Sequence, residues 1–235
     1  MRAESIPCKA GFPQFGERVA SVKTVRIGNG CGFWGDNLDA PVLLARDGRL
    51  DYLTLEYLAE LTMSILALQK QRDPNAGFAG DFLEVLERLC PLLREQPGLK
   101  VITNAGGMNP AACAARARTI LNQAGLGDRV IGTVTGDDLL PRIDELLATG
   151  QPLTNLDTGE PLSAVRDLVV SANAYLGSRP LAEALRQGAS VVITGRVADA
   201  SLTLAPAAYE FGWGWGDWDL LAAGTVAGHL IECGA

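Results

Sequence analysis

Short apolar segments alternate with amphipathic segments along most of the chain, and this alternation constrains the fold more than any other feature. The apolar segments have the length and composition of buried strands. We predict about six strands, at 23–29, 50–57, 99–104, 129–136, 171–177 and 190–195. The intervening segments keep helical spacing, most clearly at 37–48, 58–71, 82–95, 110–124, 137–150, 179–188 and 216–235.

Strands that alternate with helices predict an α/β fold with a mainly parallel sheet and helices on both of its faces. A doubly wound sheet is the first interpretation. A partial or complete β/α barrel is the alternative, because the period of the apolar residues does not distinguish an open sheet from a closed one. In either fold, the loops that leave the carboxyl ends of the strands share one edge, where ligands bind.

Several loop residues predict where helices begin and end. Asn109 and Pro110 are preferred residues for the N-cap and the first position of a helix. Gly150 and Gly188 are typical helix stops. Between two helices, 151–162 has the turn residues of a short exposed ribbon.

The chain divides unevenly. Residues 1–21 have prolines and glycines spaced through them and predict an irregular lead-in. Residues 22–235 predict a single α/β domain. The final helical segment is followed by neither a strand nor a polar tail, which favours a domain truncated at its C-terminus.

Charge and composition exclude several classes of function. The net charge of −7 argues against nucleic acid or an anionic membrane as a partner. No apolar run approaches the roughly 18 residues of a bilayer-spanning helix, and the N-terminus lacks the apolar core of a signal peptide. We therefore expect a cytoplasmic protein. His229 is the only histidine and the five cysteines are scattered, so zinc sites and histidine-based triads are poorly supplied.

Polar and glycine residues collect at the predicted strand ends. The loops 28–37, 104–109 and 194–201 are rich in Gly, Asn, Asp and Ser, which suit close approach to a ligand and anion binding at helix N-termini. In an alternative interpretation, the Gly and Asn residues of such loops are needed only for the backbone geometry of the turn. The candidate site residues are Asp36, Asn37, Glu56, Asn104, Gly106, Gly107, Asn109, Arg196, Asp199 and Ser201.

Carboxylates are the main candidates for metal binding and for acid–base chemistry at this edge. If they cluster, they could hold Mg²⁺ or Ca²⁺, or raise one another's pKa for acid–base work. The candidates for such a cluster are Asp36, Glu56, Asp137, Asp138 and Asp199. Asp137 or Asp138 serves equally well as a helix cap. Arg196 could grip an anionic ligand, or could pair with Asp199 merely to hold the loop.

Three further features have a functional and a structural interpretation. The sequence GCGFWG (30–35) follows a strand and precedes Glu56 by about the spacing of a dinucleotide site, but Phe33 and Trp34 are bulky for a phosphate loop. Cys31 is a weak candidate nucleophile, and His229 is expected to pack. The tryptophan-rich segment 213–218 suits an apolar lid or a subunit interface.

Three separated motifs resemble one family. They are KTVRIGNGCGFWGDNLDAPVLLARDGRLDYLTLEYLAELTMSIL, KVITNAGGMNPAACA and VVITGRVADASLTLAP. In this order they resemble the acyclic terpene utilisation (AtuA-like) proteins. The resemblance implies a role in the breakdown of acyclic terpenes and related branched acids, carried as coenzyme A thioesters. It brings no agreed catalytic residues.

These observations support three hypotheses. The first is an enzyme that acts on a branched acyl thioester by hydration, hydrolysis or carbon–carbon bond chemistry, with Glu56 or Asp199 as base and Arg196 as anion clamp. The second is an NAD(P)-dependent oxidoreductase. The third is a non-catalytic subunit of an acyl-CoA-processing complex. We expect a homo-oligomer or a partner subunit bound through the Trp213–Trp218 segment.

Overall fold

A computed structural model describes residues 23–232, so the predicted lead-in at 1–21 lies outside the described residues. Within them are five strands, β1 Ile27–Asn29, β2 Tyr52–Leu55, β3 Lys100–Thr103, β4 Ile131–Val134 and β5 Val191–Thr194. The α-helices of the same part are α1 Ala40–Asp47, α2 Glu60–Arg72, α3 Asp81–Glu95, α4 Pro110–Gln123, α5 Ile143–Ala148, α6 Arg179–Arg186, α7 Ser201–Phe211 and α8 Trp218–Glu232. The single domain over 22–235 and its truncation stay predictions.

The strands form one parallel sheet in the order β1-β2-β3-β5-β4. The chain moves in one direction from β1 to β4, passing over the position of β5, and then reverses to place β5 between β3 and β4. Because parallel crossovers are right-handed, this reversal puts the later helices on the opposite face. The predicted doubly wound α/β architecture is confirmed.

Two cores lie on the two faces of the sheet. Neighbouring strand residues point to opposite faces, so Leu53 and Val101 join a core with helices α1 to α4. Tyr52 and Ile102 join the other core, with α6 and α7. Both faces are covered over the central strands β2, β3 and β5, which explains why these strands are short apolar runs without polar alternation. The helix α8 packs on α7 and reaches β1.

Helix α4 begins as its sequence predicts. The Asn109 side-chain oxygen accepts a hydrogen bond from the backbone N–H of Ala112 at 3.3 Å, and Pro110 is the first helical residue. Gly188 has φ +89° just after α6, and Gly150 has φ +83° just after α5. Both glycines therefore adopt the left-handed conformation that ends helices.

Two predicted elements differ in the structure. The segment 171–177 is not a strand, because it joins its neighbours only through isolated bridges at Asn173 and Leu176. The helix predicted at 137–150 becomes a 3-10 turn, Leu140–Arg142, followed by the short α5. Pro141 lies in that turn and has no N–H to donate, which favours the irregular start. The 151–162 segment is exposed and turns near Gly159, without strands.

None of the helices between residues 23 and 232 is long and apolar enough to cross a lipid bilayer.

Candidate functional site

The point where the winding of the sheet reverses lies between β3 and β5. Helix α4, which follows β3, packs in one core, and α7, which follows β5, packs in the other. The two connections therefore diverge, and ligands of doubly wound proteins bind in the crevice so formed at the carboxyl ends of the strands. The residues at this edge include Glu56 after β2, Asn104 after β3 and Arg196 after β5, with exposures of 1%, 0% and 4%.

Glu56 is a buried carboxyl group that is only half satisfied. Its Oε1 accepts hydrogen bonds from the Asn104 side-chain amide and from the backbone N–H of Leu58, the latter at 3.1 Å. Its Oε2 is buried and has no hydrogen-bond partner among the described residues. Burial raises the pKa of Glu56 to about 7, although the hydrogen bonds from Asn104 and Leu58 and the charge of Arg196 lower it. Such a carboxyl group can accept a proton near neutral pH.

Arg196 holds the loops of this edge together. Its Nη1 donates to the carbonyl oxygen of Leu58 at 2.9 Å and lies 3.2 Å from Asp199 Oδ1. The same nitrogen lies 4.0 Å from Glu56 Oε1, at the outer limit of an ion pair. The guanidinium also stacks on the ring of Tyr175, 4.2 Å from its centroid. The Arg196–Asp199 pair expected of a loop-holding role is therefore present.

Negative charge is in excess around this arginine. Glu60 Oε1 lies 3.6 Å from Arg196 Nη2, so three carboxyl groups, those of Glu56, Glu60 and Asp199, surround one guanidinium. The backbone N–H of Arg196 donates to a fourth, Asp137 Oδ2, at 2.8 Å.

The predicted carboxylate cluster of five does not form as one group. Asp137 is buried and also accepts from the Asn173 side chain at 3.0 Å, so it braces the loop after β5. Asp138 Oδ1 accepts from the backbone N–H of Leu140 at 3.0 Å, a local turn contact. The alternative role of a helix cap is not observed, because the N-cap residues of the 3-10 turn and of α5 are Leu139 and Arg142, without a side-chain cap hydrogen bond. Asp36 Oδ2 accepts from Gly32 N–H in its own loop at 3.0 Å.

The NAGGMN turn after β3 is shaped by close packing. A Cβ on Gly106 would lie 2.5 Å from the carbonyl oxygen of Thr194, the last residue of β5. Gly107 has φ +50°, and a Cβ there would lie 2.4 Å from a methyl group of Leu66. Asn104 turns inward, and its Oδ1 accepts from Tyr57 N–H at 2.8 Å. Most of this turn chemistry thus joins β2, β3 and β5.

A separate cleft of about 240 Å³ lies between the loops after β3 and β4, and Lys70, Gly107 and Asn109 are among its lining residues. Lys70 donates to the carbonyl oxygen of Met108 at 2.6 Å, and the Asn109 amide donates to the carbonyl oxygen of Pro74 at 2.8 Å. A ligand role for Gly107 or Asn109 would belong to this cleft.

Two backbone N–H groups of the glycine-rich loop after β1 already donate hydrogen bonds within the protein. Gly32 donates to Asp36 Oδ2, and Gly35 donates to Asp81 Oδ2 on α3, each at 3.0 Å. Asn37 is exposed, and its side-chain oxygen accepts from Asp39 N–H at 2.9 Å. Helix α1 begins only at Ala40, so the glycines do not lead straight into a helix N-terminus. These contacts do not favour a pyrophosphate site, and the NAD(P) hypothesis stays a prediction without structural support.

Cys31 is buried. Burial raises the pKa of the Cys31 thiol to about 12, so a thiolate nucleophile is not favoured.

The tryptophans of the 213–218 segment differ in their surroundings. Trp218 is 75% exposed, whereas Trp213 stacks on Phe211 with ring centroids 5.7 Å apart. An interface at this segment stays a prediction. Ser201 is buried as the first residue of α7.

Helix α8 brings two further side chains to this edge. One is Glu232, and the other is His229, which was expected to pack but is exposed. Ligand atoms of Asp199, His229 and Glu232 lie within 4.8 Å of one another. Gly228 permits this, because a Cβ there would lie 2.8 Å from the carbonyl oxygen of Ala200. The spacing of His229 and Glu232 puts them on one helical face, but only the tertiary packing of α8 sets them beside Asp199.

The fold and this edge define a doubly wound α/β protein with a buried, charged group of residues at the switch point of its sheet. Its family follows from comparison with known proteins. The profile of the acyclic terpene utilisation family protein AtuA matches residues 25–235, so the chain belongs to the AtuA family, as its motifs predicted. Comparison with curated proteins and with solved structures gave no match.

Proposed function

We propose that this protein is an enzyme of acyclic terpene breakdown that acts on a branched acyl thioester by acid–base chemistry, with Glu56 as the base. The observation that carries the proposal is the buried Oε2 atom of Glu56 at the switch point of the sheet, which has no hydrogen-bond partner within residues 23–232. A buried polar atom without a partner is costly to stability. A role in binding or catalysis is one reason why such an atom is retained, and strained or unsatisfied groups collect at functional sites.

The contacts of Glu56 suit a base. Asn104 and Leu58 hold Oε1, which fixes the carboxyl plane and leaves Oε2 available for a proton. Hydration, hydrolysis and carbon–carbon bond chemistry can each use a base that removes a proton from water, from a hydroxyl group or from an acidic carbon. Burial strengthens the carboxylate as a base, since it disfavours the charged form.

Arg196 and Asp199 support this base in the proposed enzyme. Arg196 is already engaged by Leu58 and Asp199, so its first role is to position the loop beside Glu56. If a carboxylate or phosphate group of the substrate displaced the Asp199 carboxylate from Arg196, the guanidinium would bind that substrate anion instead. Asp199 is less buried than Glu56 and lies on the open side of the group.

Family membership supports the substrate class of this proposal. AtuA membership ties the chain to acyclic terpene utilisation, and the intermediates of branched acid breakdown are carried as thioesters. Coenzyme A would then be part of the substrate, and the protein would need no separate organic cofactor for proton transfer.

The test is turnover of branched, geranyl-type acyl-CoA thioesters, followed by mass spectrometry of the products. We expect conversion by the wild-type chain and a loss of about 100-fold or more in kcat for Glu56→Gln, the range of one general base. Glu87→Gln is the matched control, because Glu87 is exposed on α3. Equal kcat for Glu56→Gln and Glu87→Gln would refute the role of Glu56.

A further inference from the structure

His229 and Glu232 have no role in the proposed reaction, and they form a group with Asp199. Asp199 lies in the loop between β5 and α7, and the other two lie one helical turn apart on α8. One ligand atom from each comes within 4.8 Å of the others. Atoms bound to one first-row metal ion lie roughly 3–4 Å apart, given bond lengths of about 2.0–2.2 Å. Small side-chain rotations are enough to close the difference.

The donor set selects a class of ion. One imidazole nitrogen and two carboxylate oxygens suit Zn²⁺ and Mn²⁺, whereas Mg²⁺ and Ca²⁺ prefer oxygen alone. Three protein ligands also leave coordination positions for water or substrate, as in catalytic metal sites.

A second observation indicates that a positive charge beside these three residues would be stabilising. Glu56 is buried, its Oε2 has no hydrogen-bond partner in the described part of the chain, and its carboxyl group interacts electrostatically with Glu232. Within that same part, Arg196 is the cation that pairs with Glu56, and it is shared with Asp199 and Glu60. A buried carboxylate is stabilised by a compensating charge, which a metal ion on the neighbouring ligands would supply.

The fold holds the three ligands independently of any ion. Gly228 lets α8 approach Ala200 closely, beside Asp199. The Asn29 side chain at the end of β1 donates to the carbonyl oxygen of Glu232 at 3.0 Å. The group is therefore anchored from β1, β5 and α8, and rigid support of this kind favours metal binding.

We propose that Asp199, His229 and Glu232 bind one divalent transition-metal ion of the Zn²⁺ or Mn²⁺ type, next to Glu56. The site goes beyond the proposed reaction, because binding of the ion requires no substrate. An ion there would lie beside the proposed base, where it could polarise a thioester carbonyl or a water molecule.

The test is equilibrium dialysis of the whole chain, stripped with EDTA, against Zn²⁺ or Mn²⁺ alone, with metal content measured by mass spectrometry. We expect about one equivalent per chain, and at least tenfold weaker binding by His229→Ala, which removes a ligand, and by Asp199→Asn, which replaces a charged ligand by a neutral one. Asp219→Asn is the matched control, because Asp219 is an exposed acid in the first turn of the same helix. It should bind the ion like the wild type.

Two outcomes overturn the proposal. One is the absence of stoichiometric binding of either ion by the wild-type chain. The other is wild-type affinity in both ligand variants, with circular dichroism showing each to be folded. Neither outcome depends on turnover, so failure of the metal site and failure of the proposed reaction are distinguishable.

Discussion

Replacing Glu56 by glutamine should change how the stability of the protein depends on pH. The carboxyl group has a pKa of about 7 in the folded protein, raised by burial from an ordinary value of 4.5. Below the ordinary value it is protonated in both folded and unfolded chains and does not oppose folding. Between the two values the unfolded chain ionises while the folded chain keeps its proton, so the free energy of unfolding falls as pH rises.

The size of the effect follows from the two pKa values. The difference between the ordinary pKa of 4.5 and the folded value of about 7 corresponds to roughly 3 kcal/mol, fully developed above pH 7. Glutamine keeps an Oε1 that can accept from Asn104 and Leu58 and carries no charge. Its amide nitrogen at the position of Oε2 lacks an acceptor, which costs the variant a constant amount at every pH. Relative to wild type, Glu56→Gln should therefore gain about 3 kcal/mol between pH 4.5 and 8.

Urea unfolding at several pH values measures this difference, with tryptophan fluorescence as the signal and EDTA present to remove metal ions. Glu87→Gln should track the wild type at every pH, because Glu87 is exposed. A difference between Glu56→Gln and wild type that stays constant from pH 4.5 to 8 would refute the reasoning, since it would mean that Glu56 does not titrate differently in the two states.

Three further substitutions test the same edge of the sheet. Asn104→Ala removes a donor to Glu56, and we expect about 1–3 kcal/mol of destabilisation in urea unfolding; unchanged stability would contradict that hydrogen bond. Gly106→Ala places a Cβ 2.5 Å from the last carbonyl oxygen of β5 and should lower stability by about 1–3 kcal/mol, whereas Gly98→Ala meets nothing within 4 Å and should be tolerated in the same thermal melts. Asp199→Asn should lower turnover and leave the fold intact; a loss of stability as large as that of a core variant would instead show that this residue serves only to hold its loop.

Much of the fold was predictable from local patterns. The five strands lie within predicted segments. The central strands β2, β3 and β5 are short apolar runs buried almost throughout, whereas β1 and β4, at the two edges of the sheet, are mostly only partly buried. Asn109 and Pro110 start α4 because an N-cap depends on a few adjacent residues and hardly on the rest of the chain. The segment 171–177 was predicted as a strand because its composition is that of one, but a strand also needs a neighbour along its length, and this segment has only isolated bridges.

The candidate site was predictable only in part. Residues that follow parallel strands must meet at one edge, and this topological rule was enough to propose Glu56, Asn104, Arg196 and Asp199 together. The sequence does not contain the strand order, which decides that β5 lies beside β3 and brings Arg196 within 4.0 Å of Glu56. Asp36 was grouped with them by the same rule, but its carboxylate is held by its own loop.

What the sequence determined by itself was the α/β class, the family and the edge where chemistry collects, because these depend on periodicity, motifs and chain direction. The tertiary structure alone decided which oxygen of Glu56 has no partner among the residues that the structure describes and how strongly its pKa is raised, because burial and hydrogen bonding are properties of the packed chain. It also decided that His229, a residue with an ordinary packing interpretation on an apolar helix, lies beside Asp199. Gly228 makes this possible by letting α8 approach the loop after β5, and no local pattern records such a contact.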